Sequence, residues 1–542
     1  MSQALKNVNT KNTPQRERVP GKNQVRNSAG GFVFEVSEKT RLERFLILGT
    51  DKGTYYASQK DLTNQNFDFV RKLAESNVRL LVDTTVSVSD EGRAAKNSPA
   101  IFALAVALTF CKPEDKAYVR AAVAKVARTA THLFEFAQYI ENLGGWGRAK
   151  RAAIADWYES KSQDQLAYQA VKYRQRNGWT HRDLFRLAHP KGVDRNVGEF
   201  ILGKSELDAS SFSGTEKHIA ILSGFKALQQ AQSVSEVNFL LRELRELRLP
   251  WEVIPTQFLN EASVWKTLFE VGAIGQTALL RNVTRLAKNG AFSDLVFAKA
   301  VADRLADTEA IRKGRVHPIA YLNALGVYRN GRLSGGMNTW GGSRQKDWNT
   351  TPVILGALED GYYNAFGTIE PANKRYRVAI DTSGSMTWWG PSGLVGLDCR
   401  EAAAAFAMTL IRSEPYTDVI GFGTSVQRPS IGPKDSLELV QQKINRLPAA
   451  GTDCALPMLS ALQEGTEIDT FVVVTDNETW AGRTHPFQAL RQYRDKTGID
   501  AKLVVVGMTA TDFTIADPND AGMLDVVGFD ANAPKVIADF SK

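Results

Sequence analysis

Cysteine is scarce and scattered: only Cys111, Cys399 and Cys454 occur in 542 residues. An odd number at wide, irregular spacing excludes a disulfide framework and a zinc site, and points to a reducing, cytoplasmic setting. Long apolar runs are also missing. The longest, residues 99–111, is too short to cross a bilayer, and Met1-Ser-Gln carries no basic-then-apolar export signal. A soluble, non-exported protein with no membrane partner is expected. Strand signals are nearly absent between residues 40 and 366, and acidic residues run short over the same part of the chain. Residues 1–369 hold 51 Lys and Arg against 37 Asp and Glu, whereas residues 370–542 hold 16 against 22, so the overall charge of +8 hides a basic part of +14 and an acidic part of −6. Such asymmetry suits a polyanion partner, because Lys and Arg that neutralise phosphates release counterions. A solvated helical surface explains the same count.

What is present divides into three parts. Residues 1–25 are polar and basic, without an apolar period, and read as a tail or a late-docking arm. From 26 to 369 the apolar residues recur at helical spacing. Ser98-Pro99 opens a buried helix, and Pro113-Glu-Asp opens a second that is expected to stop at Gly144-Gly145. Ser162 opens a third with Gly178 as its stop, and Thr180-His-Arg-Asp183 supplies a capping box for a fourth. Paired helices at this tempo suggest a solenoid of helical hairpins. Residues 330–351, rich in Gly, Asn and Trp, read as a long loop.

Residues 370–542 alternate strand and helix, as a doubly wound α/β sheet requires. Strands are expected at 377–380, 419–422, 471–474 and 502–506, with helices at 401–412, 486–495 and 534–540 and an edge hairpin strand at 426–430. Three short segments, Asp381-Thr-Ser-Gly-Ser385, Gly451-Thr452-Asp453 and Val474-Thr475-Asp476, link these elements. Ligands bind at the carboxyl edge of such sheets, so the segments can converge on one ion. Hydroxyls of Ser383, Ser385 and Thr452, with Asp381 and Asp476 close by, suit Mg²⁺, which takes oxygen ligands and keeps several waters. Taken singly, each segment reads as a turn or helix cap. A phosphotransfer reading with Asp381 as nucleophile is weakened because Ser383 stands where a second acid or base is needed.

These three segments resemble the metal-ion-dependent adhesion site of von Willebrand A domains. Ala450-Gly-Thr-Asp-Cys-Ala-Leu-Pro-Met458, Thr475-Asp-Asn-Glu478, Phe513-Thr-Ile-Ala-Asp-Pro518 and Gly522-Met-Leu-Asp525 narrow the likeness to the Ro ribonucleoprotein autoantigens and their bacterial orthologues, Rsr. Gly53-Thr-Tyr-Tyr56, Gly145-Trp-Gly-Arg148, Ala153-Ile-Ala-Asp-Trp-Tyr158 and Lys172-Tyr-Arg-Gln-Arg-Asn-Gly-Trp179 carry it through the basic region. Arg26-Asn-Ser-Ala-Gly-Gly-Phe32 and Ala188-His-Pro-Lys191 look more like the bacterial branch.

The resemblance implies a TROVE module, an all-α ring of HEAT-like hairpins, joined to the A domain in a monomer. It implies Y RNA on the outer surface and single-stranded 3′ ends of misfolded or immature RNA in the ring. The protein is then a scaffold for RNA quality control, not an enzyme, and in bacterial relatives Y RNA tethers it to an exoribonuclease, polynucleotide phosphorylase. By motif, the Y RNA contacts are Lys172, Arg176 and His189. Lys172 and Arg176 are expected four apart on one helix, sharing a face, and His189 near the end of the next helix, beyond Arg182 and Arg186. Solvated surface and a cap before Pro190 are the bland alternatives. The rival function is a metal-dependent protein-binding scaffold.

Overall fold

The computed structural model describes residues 12–49, 59–207, 215–331, 347–367, 369–387 and 398–542. Two short strands come first, β1 (Val25–Arg26) and β2 (Phe32–Glu35). Helices then run from Glu38–Leu48 to Pro352–Asn364, interrupted by a hairpin of β3 (Gln175–Arg176) and β4 (Trp179–Thr180). Their starts follow the expected chemistry. Pro99 sits in the first turn of Ser98–Phe110, and reciprocal capping boxes, Ser162 with Gln165 and Thr180 with Asp183, open Gln163–Lys172 and His181–Ala188.

Two helix ends differ from expectation. The stretch from Pro113 to Gly145 is a short 3-10 turn followed by two helices, Lys116–Val126 and Ala130–Asn142. The break falls at Ala127, whose carbonyl accepts the indole N–H of buried Trp157; a tertiary partner takes the place of the next helical hydrogen bond. Gln163–Lys172 stops six residues before Gly178. Asn177 and Gly178, both at positive φ (52° and 78°), form the two-residue turn of the β3–β4 hairpin. Asn-Gly favours that turn because both positions need a left-handed backbone. Lys172 and Arg176 are therefore not on one helix, and the shared helical face does not exist.

The helical run returns to its own beginning. His317 Nε2 lies 2.9 Å from the carbonyl of Arg93, and Arg315 lies 3.6 Å from Asp90. A single buried core continues from Leu42 through Leu104, Trp157, Trp265 and Leu358 into the C-terminal unit at Phe406 and Phe529.

The C-terminal unit is a six-stranded sheet built from β5 (Arg375–Asp381), β6 (Tyr416–Phe422), β7 (Val426–Gln427), β8 (Thr470–Thr475), β9 (Lys502–Gly507) and β11 (Met523–Val527) in the order β11-β9-β8-β5-β6-β7. All neighbours are parallel except the edge hairpin β6–β7. All four expected parallel strands form, and so does the edge strand. Strand β11 and the helices Leu437–Asn445 and Leu456–Glu464 were not expected. From the central pair the chain leaves β5 toward β6 and leaves β8 toward β9, in opposite directions. That divergence makes a topological switch point at the carboxyl ends of β5 and β8, where ligands bind in open α/β sheets.

The N-terminal segment packs on this unit instead of the helices. The small strand β10 (Phe513–Thr514) pairs with β2, which pairs with β1, and Gln15, Val19 and Gln24 are buried there.

Candidate metal centre and nucleic-acid interface

Strand β5 delivers Asp381 at its end, and a 3-10 turn, Gly384–Thr387, follows at once. The register sets Ile380 beside Val474, which brings the end of β5 next to Thr475 and Asp476. Asp381 Oδ2 accepts the Thr475 hydroxyl at 2.6 Å, and its Oδ1 accepts the Ser383 N–H at 2.9 Å. The Ser383 and Ser385 hydroxyl oxygens are 3.1 Å apart. The edge of a magnesium octahedron with bonds of about 2.1 Å is close to that length. Ser385 lies close enough to Asp476 to favour its charged form, and the Gly384 N–H donates to the carbonyl of Ala450 at 3.1 Å, tying the first loop to the second.

All five expected ligand residues are buried. Burial first, and then the neighbouring Asp476, hold the Asp381 carboxyl well above the usual range; burial raises Asp476 as well. Glu478, two residues on, is pushed up to about 8 by burial and then by Asp476. Thr452 Oγ1 is buried without a hydrogen-bond partner among the described residues, and an orphaned buried hydroxyl calls for a ligand or a water. Among the described residues no group of three or more His, Cys, Asp or Glu is placed to hold a metal; a cation at this point would meet the hydroxyls, with the carboxylates behind them. The donor set is all oxygen and suits a hard divalent ion.

The expected RNA contacts fall within one stretch of 18 residues but on three kinds of structure. Lys172 is the last residue of its helix and lies 5.5 and 5.3 Å from the ring centres of Tyr168 and Tyr173. Arg176 is exposed on the hairpin, near enough to His132 and Tyr139 to bias their charge. His189 is the exposed left-handed cap (φ 49°) of His181–Ala188, its N–H on the carbonyl of Phe185. Both the cap and the basic residues Arg182 and Arg186 before it stand as expected, and both arginines are exposed.

Sequence reading missed a basic cavity. Where the first helices meet the last, a cavity of about 470 Å³ is walled by Ala95, Leu280 and Ile319 with Lys96, Arg281 and Arg315, and among the described residues its lining holds no acidic side chain, although Asp90 lies 3.6 Å from Arg315 behind it. Arg128 lies close enough to Arg315 that repulsion, after burial, lowers its proton affinity. These four residues are spread over more than 200 positions and share no motif; only ring closure collects them.

A closed run of helical hairpins joined to a doubly wound domain, with hydroxyl and carboxyl loops at its switch point, defines the class that combines a TROVE module with a von Willebrand A domain. The comparisons agree: the TROVE domain model matches residues 25–213 and 246–330, and the Ro60 vWA domain model matches residues 375–541. The chain belongs to the Ro60 family. It is 41% identical over 545 residues to the RNA-binding protein RO60 of Deinococcus radiodurans, covering 100% of this chain and 99% of that one. With the RNA-binding protein RO60 of Caenorhabditis elegans it shares 33% identity, covering 95% and 90%. The crystal structure of the Deinococcus radiodurans RO (RSR) protein superposes with a TM-score of 0.67 at 40% identity, covering 93% of this chain and 99% of that one.

Proposed function

We propose that this protein is the RNA-binding scaffold of a Ro-type ribonucleoprotein. It takes single-stranded 3′ ends of misfolded or immature RNA into the helical ring and Y RNA on the ring's outer surface, for quality control or maturation. The observation that carries this reading is the wall of the closure cavity, where Lys96, Arg281 and Arg315 converge beside the apolar side chains of Ala95, Leu280 and Ile319. A cationic, partly apolar groove suits a single strand, whose phosphates need counter-charge and whose bases need a flat apolar surface. A duplex is too wide for such a space and must dock outside. Exposed Arg176, Arg182, Arg186 and His189, with Lys172 at the helix end, supply that outer site. The relatives, named as RNA-binding proteins, support a binding and not a catalytic role.

In the A domain, Ser383, Ser385 and Thr452 would hold Mg²⁺, with Asp381 and Asp476 accepting hydrogen bonds behind them. Such an ion supplies an electrophilic position for a carboxylate or phosphate of a partner. An exoribonuclease such as polynucleotide phosphorylase, reached through Y RNA in the cytoplasm, is the partner that the bacterial likeness favours. No helix among the described residues is long and apolar enough to cross a membrane.

The test is a pair of binding titrations on purified protein. Arg281→Glu should weaken a single-stranded oligonucleotide at least tenfold and leave structured Y RNA unchanged. Equal loss of both ligands, or of neither, would overturn the division into inner and outer sites.

A further inference from the structure

Gln15 is fully buried, although it belongs to a polar arm at the start of the chain. Its amide bolts together two loops of the A domain that lie more than 430 residues away. Gln15 Nε2 donates to Asp453 Oδ1 at 2.7 Å and to the carbonyl of Thr484 at 2.9 Å. Its Oε1 accepts the hydroxyl of Thr479 and the N–H of Gly482. Its backbone joins the same loop, with the N–H on the carbonyl of Gly482 at 2.9 Å. The two loops are also tied to each other. The carbonyl of Thr452 accepts the N–H groups of Trp480 and Ala481, both at 3.0 Å, and the Thr479 hydroxyl accepts the N–H of Cys454 at 3.1 Å. Packing leaves no slack: a Cβ added at Gly482 would come within 2.3 Å of Asp453 Oδ1 and 2.4 Å of Gln15 Nε2.

The loop so held is the one that carries Thr452, whose buried hydroxyl has no partner among the described residues. We propose that Gln15 is a positioning residue for the cation site, fixing the 452–453 and 479–484 loops so that the Thr452 hydroxyl faces the Ser383 and Ser385 oxygens. The proposal rests on the metal reading given above. It assigns the arm a role beyond covering apolar surface: arm docking and cation binding are linked, and linkage is reciprocal, so each strengthens the other. A glutamine suits the position because it donates to a carboxylate and a carbonyl while accepting from a hydroxyl and an amide, which no acid or hydrocarbon can do.

The experiment is calorimetric titration of the full-length protein with Mn²⁺ as the probe, with thermal unfolding measured alongside. Wild type and Lys22→Ala, which removes an ion pair of the arm to Asp517 away from the metal loops, should bind alike. Gln15→Glu, which sets a second carboxylate against Asp453, should lose at least tenfold in affinity. Adding Asp453→Asn to Gln15→Glu restores a donor and should recover most of that loss; a merely structural arm would show no such rescue. If Gln15→Glu binds Mn²⁺ like wild type, or if the double variant is no better than the single one, the positioning role is wrong while the metal site stands. If wild type binds no Mn²⁺, or Ser383→Ala binds it equally, the metal reading itself fails and takes this proposal with it.

Discussion

His317 and Arg93, 224 positions apart, meet through a hydrogen bond between the imidazole Nε2 and the backbone carbonyl at 2.9 Å. The Arg93 guanidinium grips Asp530 of the A domain and reaches Glu43 of the first helix at 3.2 Å. One junction therefore joins the start of the helical run, its end, and the second domain. His317 Nδ1 also accepts the Ile319 N–H and caps Pro318–Asn330. The ring must donate through Nε2 and accept through Nδ1, which only the neutral imidazole can do.

Acid should loosen this junction. Burial is the main cause that pushes His317 down to about 4, against about 6.5 in the unfolded chain. Between these values the unfolded chain binds the extra proton, so stability is full above pH 6.5 and is lost as pH falls toward 4. Comparison with His317→Gln isolates the residue from other titrating groups. Denaturant unfolding at pH 7 and pH 5 should show wild type losing about 2 kcal/mol of its advantage over the variant. An advantage independent of pH would refute the neutral, capping imidazole.

A second prediction concerns Arg44, whose side chain is wholly buried. Its Nη2 donates to both carboxylate oxygens of Asp525 at 2.7 and 2.8 Å, and its Nη1 donates to the carbonyls of Thr511 and Phe513 at 2.8 and 2.7 Å. Arg44→Met strands a buried carboxylate and two carbonyls, and should cost about 3–5 kcal/mol. Adding Asp525→Asn should return part of this. Thermal unfolding and protease sensitivity of the helix–A-domain junction report the effect.

For the outer RNA site, the double variant Lys172→Glu, Arg176→Glu should weaken Y RNA binding and flatten its dependence on salt. Each lost phosphate contact lowers the log–log slope by about 0.9 on duplex nucleic acid, so a drop near 2 is expected. Gly178→Val should act in the same direction with no change of charge, because its φ of 78° is needed for the turn that presents Arg176. Filter binding across a series of salt concentrations measures both.

Metal removal should be visible in stability. A ligand that binds only the folded state stabilises it in proportion to the logarithm of its concentration over Kd. Millimolar Mg²⁺ should raise the unfolding temperature of wild type and leave Thr452→Val unmoved, while a chelator erases the difference between them. Scanning calorimetry with and without chelator decides this.

Much of the C-terminal domain was legible because parallel strands buried on both faces read as unbroken β-branched runs, and the acidic turns sit at their ends. Strand β11, Met-Leu-Asp-Val-Val, escaped because Asp525 interrupts the run, and Asp525 is there to receive Arg44 from another domain. The Lys172–Arg176 pair was misplaced for a different reason. Asn177-Gly178 is a strong hairpin signal, yet the spacing of the basic residues also fits a helix, and the turn prevailed.

The amino-acid order by itself determined where strands end in Asp and hydroxyl residues, where helices begin, and that most positive charge lies before residue 370, because these depend on neighbours within a few positions. Only the tertiary structure decided that Gln15 reaches Asp453, that His317 closes on Arg93, and that Lys96, Arg281 and Arg315 share one cavity. Each of these joins groups separated by hundreds of residues, and no local preference of the chain encodes a meeting that depends on the packing of every helix between them.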